Sequence, residues 1–259
     1  MRHKVYIWFG GSFSPPTFAH IDTILEATRK LHGTYPLAKI TAVFVPVNMY
    51  YDKESVSADC ISEAARLDML NMLVDQLNTQ NLPFAKFKIG THEIDRGKST
   101  RKPVPLYGSV KLMEKANKSR PENIYIVLRQ HTFESILRNK LPFSDKLLAG
   151  YNFIVLPTDE SIMYNMQLES RLLDSLNASA KEMHGIDGIH NRIMFASPRQ
   201  QVSSMSAIAR RAASTGQPLE SYTLGSIADT IRRKKLYKSA ACFSDKSRKR
   251  KTLKANRKK

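Results

Sequence analysis

The chain has little cysteine, no long apolar run and no acid near its C-terminus, and each shortage closes off a class of protein. Two cysteines, Cys60 and Cys242, among 259 residues are too few for a disulfide framework or a cysteine-ligated metal cluster, and point to a reducing compartment. No apolar stretch approaches the roughly 18 residues that a membrane span requires, so no membrane association is expected. The opening "MRHKVYIWFGG" runs directly into glycine, as a first strand does and a signal peptide does not. Residues 1–240 contain no internal repeat and no Pro/Gly-rich linker, so they are expected to form one domain, with 241–259 as a basic tail.

What is present has the balance of a globular protein, 42% hydrophobic and 25% charged residues, on a length that can bury a real core. The formal charge of +18 is unevenly spread: "KSRKRKTLKANRKK", residues 246–259, holds nine Lys or Arg and no acid, half of the excess. Such a segment has nothing to bury and is expected to be disordered. It reads either as a solvated terminus or as a contact for import machinery or nucleic acid, which makes the expected location cytoplasmic, nuclear or both.

Short runs that are apolar on both faces alternate with stretches of helical spacing. Val5 to Phe9, Ile40 to Val47, Phe84 to Ile89, Asn123 to Leu128, Tyr151 to Leu156 and Ile193 to Ala196 read as strands. Ile21 to Leu31, Cys60 to Leu77, Tyr107 to Asn117, Thr132 to Leu137, Ser206 to Ala213 and Ser226 to Lys235 read as helices. "GTHEIDRGKSTRKP" reads as a polar loop, and residues 157–192 as an excursion between the last two strands. The pattern predicts an α/β, Rossmann-like doubly wound sheet, mostly parallel, with helices on both faces. Ligands of such sheets bind outside the carboxyl ends of the strands, where the polar stretches fall.

Three motifs compete for the chemistry. "GTHEIDRGKST" ends like a P-loop, but that spacing needs a glycine where His92 stands. His184 and His190 in "MHGIDGIH" match no trusted ligand spacing and read as a surface loop. "WFGGSFSPPTFAH" is more specific. It is a strand-to-helix crossing in which Gly10 and Gly11 let backbone amides approach an anion, Ser12 adds a hydroxyl, and the helix offers its positive N-terminus. Thr17 and His20 stand one turn apart at that helix start.

"GGSFSPPTFAH" resembles the signature of the nucleotidyltransferase superfamily with the His/Thr-x-x-His motif, and more closely that of nicotinamide or nicotinate mononucleotide adenylyltransferases. The resemblance extends over residues 4–238. "PVNMYYDKES" looks like the family's loop after strand two, with Lys53 at its phosphate-contacting lysine, and Arg66 matches an arginine of the next helix. "THEIDRGKS" resembles its third loop, with His92 in place of the tryptophan that stacks on the pyridine and Glu93 behind it. "SAIARRAASTGQPL" is similar to its Ser-Thr-x-x-Arg segment, with Ser206 capping a helix and Arg210 following. The family's Gly-x-Asp after strand four becomes Arg129, Gln130 and His131, and its paired serines and threonine become Met205, Ser206 and Ala207.

The resemblance implies adenylyl transfer from ATP to a pyridine mononucleotide, with Mg²⁺ carried by ATP and no protein-held metal. It assigns the catalytic roles to Thr17, His20, Lys53 and Arg210. ATP would be held by Gly10, Gly11, Ser12, Phe13, His20, Arg129, His131, Ser206, Arg210 and Arg211. The mononucleotide would be held by Ser12, Phe13, Lys53, His92, Glu93, Leu141 and Phe143. Two other readings stand beside this one: a related transferase with a cytidylyl or phosphopantetheine substrate, and a non-catalytic nucleotide- or nucleic-acid-binding homologue. Self-association is left open.

Overall fold

In the first strand, β1 (Lys4–Gly11), Val5, Ile7 and Phe9 pack into one apolar cluster while Trp8 packs into another. A strand can do this because successive side chains point to opposite faces. The computed structural model, which describes residues 4–51, 60–157, 166–196 and 202–238, repeats the division along the sheet. Ile40, Ala42 and Phe44 of β2 (Lys39–Pro46) join the first cluster, and Val43 and Val45 the second. β4 (Ile124–Arg129) and β5 (Asn152–Leu156) divide in the same alternation, with Tyr125, Val127, Ile154 and Leu156 on one side and Ile126, Leu128, Phe153 and Val155 on the other. Both faces are therefore buried, which is why these strands read as continuous apolar runs.

With β3 (Ala85–Ile89) and β6 (Ile193–Phe195) the strands pair in parallel in the order β3-β2-β1-β4-β5-β6. This is the doubly wound order, and its switch point lies between β1 and β4. The first face is covered by α1 (Phe18–Thr34), α2 (Glu63–Thr79), α8 (Val202–Thr215) and α9 (Gly225–Arg233). α4 (Leu106–Asn117), α5 (Gln130–Leu137), α6 (Ser144–Gly150) and α7 (Met166–His184) cover the second. Each fully buried Leu, Ile or Phe contributes about 1.5 to 3 kcal/mol, so the two clusters dominate the stability. No helix among the described residues is long and apolar enough to cross a membrane.

Four sequence expectations need correction. The stretch read as a polar loop contains α3 (His92–Thr100). Its buried stripe is only Glu93, Ile94 and Gly97, too narrow and too polar to register as an amphipathic repeat. Gly97, in the stretch whose spacing already argued against a P-loop, is a packing residue inside that helix: a Cβ there would lie 2.6 Å from the Asn48 side chain. The 157–192 excursion contains α7, a helix of 19 residues, and α6 went unread because it is only 7 residues long. Cys60 is disulfide-bonded, against the expectation drawn from cysteine scarcity, while Cys242 lies outside the described residues, as does the basic tail.

Candidate functional site

The β1-to-α1 crossing is fixed from several directions. Thr17 stands at the N-cap of α1 in extended conformation, and its backbone N–H donates to His20 Nδ1 at 3.0 Å. Thr17 Oγ1 lies 2.9 Å from the same nitrogen. An N–H can only donate, so Nδ1 carries a lone pair and the proton of the neutral ring is on Nε2. The ring is 3% exposed, with Phe13 at 5.0 Å and Phe9 at 6.1 Å between centroids. Burial, reinforced by the positive charge of Arg129, holds its pKa down to about 3. His20 is thus a neutral, oriented donor at physiological pH.

C-terminal elements clamp the loop between Gly11 and α1. Arg210 Nη1 donates to Ser14 O at 2.6 Å, Ser206 Oγ to Pro15 O at 3.1 Å and Thr223 Oγ1 to Pro16 O at 2.7 Å. Ser14 Oγ donates to Tyr237 Oη at 3.2 Å. Arg66, 1% exposed, spans the ends of two strands by donating to Ser12 O at 2.9 Å and Val47 O at 2.8 Å. Burial lowers its pKa, but a guanidinium remains charged. Ser206 does not cap a helix as the resemblance implied, because α8 begins at Val202 and the hydroxyl is spent on Pro15.

These elements enclose a cavity of about 760 Å³ outside the carboxyl ends of β1 and β4, where a doubly wound sheet places its ligand. Gly10, Gly11, Ser12, His20, Arg129, His131, Ser206, Arg210 and Leu141 line it together. Two arginines and two histidines face it, and no Asp or Glu does among the described residues. The site is built for an anion. His184 and His190 are engaged elsewhere, with Leu137 O and Asn177 Oδ1, and no group of metal-ligating side chains occurs among the described residues.

Other expected site residues do not line the cavity. The Phe13 ring faces the core against Phe9, Phe44 and His20, where it supports Gly11 from below: a Cβ on Gly11 would be 3.1 Å from that ring. Thr17 is buried and acts through His20. His92 and Glu93 open α3 behind the wall: Glu93, 1% exposed, accepts from Ser109 Oγ at 2.6 Å, and burial lowers the His92 pKa. Phe143 is 48% exposed and packs against Tyr107 at 5.3 Å between ring centroids. Arg211 is on the exposed side of α8, and Lys53 lies outside the described residues.

In place of those residues the cavity has an apolar wall of Trp8, Tyr51, Pro103, Val104, Pro105 and Leu106, which sequence reasoning missed. Trp8 is held by donating from Nε1 to Ser109 Oγ at 3.2 Å, so Ser109 links it to Glu93. Gly10 makes room for the indole, since a Cβ there would fall 2.0 Å from Trp8 Cη2. Alternation places residues 8 and 10 on one face of β1, and the pairing of a large aromatic with a glycine two residues on was the available signal.

A doubly wound sheet with a glycine-rich first crossing and an acid-free, cationic cavity at its switch point defines a nucleotide-binding protein. The chain belongs to the cytidylyltransferase-like family, whose family model matches residues 8–210. Among solved structures it is similar to Plasmodium falciparum nicotinic acid mononucleotide adenylyltransferase complexed with APC, at TM-score 0.56 and 14% identity over 91% of this chain and 97% of that one. It is also similar to a protein described as a nicotinate-nucleotide adenylyltransferase from Vibrio parahaemolyticus, at TM-score 0.52 and 11% identity over 92% and 98% of the two chains. No curated protein sequence matches it significantly. Fold and family together make the chain a nucleotidyltransferase.

Proposed function

We propose that the protein transfers AMP from ATP to nicotinamide or nicotinate mononucleotide, forming NAD or its deamido form and releasing pyrophosphate. The observation that carries the reading is His20. It is buried and neutral, with Nδ1 engaged by Thr17 and Nε2–H left for a ligand in the glycine- and arginine-lined cavity. The mononucleotide phosphate is already an anion, so an oxygen of it attacks the α-phosphorus without a general base. The new P–O bond forms as the α–β bridging P–O bond breaks, and pyrophosphate leaves with the electron pair. No proton changes hands.

The chain's task is to align two mutually repelling anions and to meet the charge of the transition state. His20 donates to the α-phosphate, and Thr17 holds the imidazole. The Gly10 and Gly11 backbone and the start of α1 receive the phosphates, Arg210 takes the β- and γ-phosphates, and Lys53 takes the mononucleotide phosphate. Mg²⁺ arrives with ATP on this reading. Removing the His20 donor costs about 3 to 4 kcal/mol, two to three decades in kcat.

A second reading, transfer to a different acceptor, is favoured by the positions of His92 and Glu93 behind the cavity wall, since those residues carried the argument for a pyridine. The test is a coupled assay of the purified protein with ATP, Mg²⁺ and each mononucleotide in turn, with His20→Ala alongside. Dinucleotide formation lost in His20→Ala is expected. A folded, ATP-binding protein inert toward every pyridine mononucleotide refutes the acceptor assignment. Turnover of a cytidylyl or phosphopantetheine substrate then supports the second reading, and no turnover at all supports a non-catalytic role.

A further inference from the structure

Arg129 closes β4 at the switch point of the sheet. β1 and β4 pair with Tyr6 opposite Ile124 and Trp8 opposite Ile126. Beyond that pairing β1 runs on to Gly11 and β4 to Arg129, so the two residues end neighbouring strands at the switch point. Arg129 is half-buried, its pKa is lowered by burial, and it faces the cavity. Among the described residues no carboxylate shares that cavity, and none engages this guanidinium in a side-chain hydrogen bond or ion pair. Arg66 and Arg210 differ, since each donates to a carbonyl of the crossing.

A guanidinium partly removed from water without a counter-charge is a standing cost to the free protein. The arrangement becomes favourable when an anion enters, and a planar fork of donors suits a phosphate. Arg129 and His20 line the same cavity, and the charge of Arg129 adds to burial in keeping the ring neutral. His20 can therefore contribute a hydrogen bond but no net charge.

We propose that Arg129 is a catalytic residue, the fixed positive charge that works beside neutral His20 on the transferred phosphoryl group. The naming of that group rests on the adenylyl-transfer reading above; the role of Arg129 as a phosphate ligand does not. The assignment gives a purpose to the arginine that stands where the family resemblance led us to expect glycine. It also makes the free protein less stable than it would be with an apolar side chain at this position.

The experiment compares Arg129→Met, which keeps most of the stem, and Arg129→Lys with the unmodified full chain. Three quantities are read: dinucleotide formation, calorimetric affinity for ATP and for inorganic tripolyphosphate, and the melting temperature without ligand. Arg129→Met is expected to lose about 100-fold or more in kcat, to bind both polyphosphates at least about tenfold more weakly, and to melt at a higher temperature than the unmodified chain; Arg129→Lys should recover part of the turnover. An arginine with a merely structural role would lower the melting temperature when removed. Turnover within about threefold of the unmodified chain, with unchanged polyphosphate affinity, overturns the proposal. If the unmodified chain makes no dinucleotide, the adenylyl-transfer reading fails by itself. Arg129 is then judged on affinity alone: a tenfold loss retains it as a phosphate ligand, and no loss removes it.

Discussion

Substituting His20 by asparagine tests whether the imidazole is the buried, neutral donor described above. Asparagine keeps an acceptor for the Thr17 N–H but cannot titrate. In the folded chain burial holds the ring pKa near 3, whereas the unfolded chain has the ordinary 6.5. Above 6.5 both states are neutral and His20 adds no pH dependence. As pH falls below 6.5 the unfolded ring takes a proton that the folded ring refuses, so the unfolded state gains and stability drops, with a limiting slope of about 1.4 kcal/mol per pH unit. By pH 3 the accumulated loss is on the order of 4 to 5 kcal/mol, a large part of the 5 to 15 kcal/mol that holds a typical domain together. Urea denaturation of both proteins at intervals from pH 7.5 to 4 isolates the contribution, because other groups titrate alike in each. The unmodified chain should lose stability more steeply below pH 6.5, by an amount approaching that slope. Parallel curves, or a His20 resonance titrating near 6.5 in the folded protein, would refute the reasoning.

Other positions give separate checks. Gly10→Ala forces the Trp8 ring off its site, since the new methyl would stand 2.0 Å from Cη2. It should cost about 1 to 3 kcal/mol and shift the emission of the only tryptophan in the chain, and unchanged fluorescence would show that the indole does not rest on Gly10. Arg66→Met strands the Ser12 and Val47 carbonyls at about 1 to 3 kcal/mol each. A lower urea midpoint and a raised KM for ATP should appear together, and a KM unaffected by the loss would separate Arg66 from the site. Removing residues 246–259, nine of which are Lys or Arg, should leave turnover intact and lower the salt concentration at which the protein leaves a polyanion column. Lost turnover would make the tail part of the catalytic unit.

The architecture was readable where burial is two-sided. Val5 to Phe9 and Ile40 to Val47 are apolar at nearly every position because each face meets a helix layer, so neither can be mistaken for a loop. α3 was not readable, because a helix that buries only Glu93, Ile94 and Gly97 carries too little apolar signal in nine residues. The site divides similarly. Gly10, Gly11, Ser12, Thr17 and His20 are local in sequence and their spacing states their geometry. The wall of Trp8, Tyr51, Pro103, Val104, Pro105 and Leu106 is assembled by folding from three distant segments. Trp8 in particular was concealed by its strand, where a large aromatic looks like core. His92 shows the converse error: its place in a familiar loop said nothing about the wall that separates it from the cavity.

The clamp on the opening loop has a consequence for the order in which the protein is made. Ser14, Pro15 and Pro16 leave the ribosome at least 191 residues ahead of their partners Ser206, Arg210, Thr223 and Tyr237. The early strands can pair as they emerge, but the catalytic loop has nothing to lean on until nearly the whole domain has been synthesised. A nascent chain stalled before residue 206 should therefore hold a sheet without a working phosphate cradle. Competence for nucleotide transfer waits until α8 and the segment leading into α9 have docked back onto the β1-to-α1 crossing.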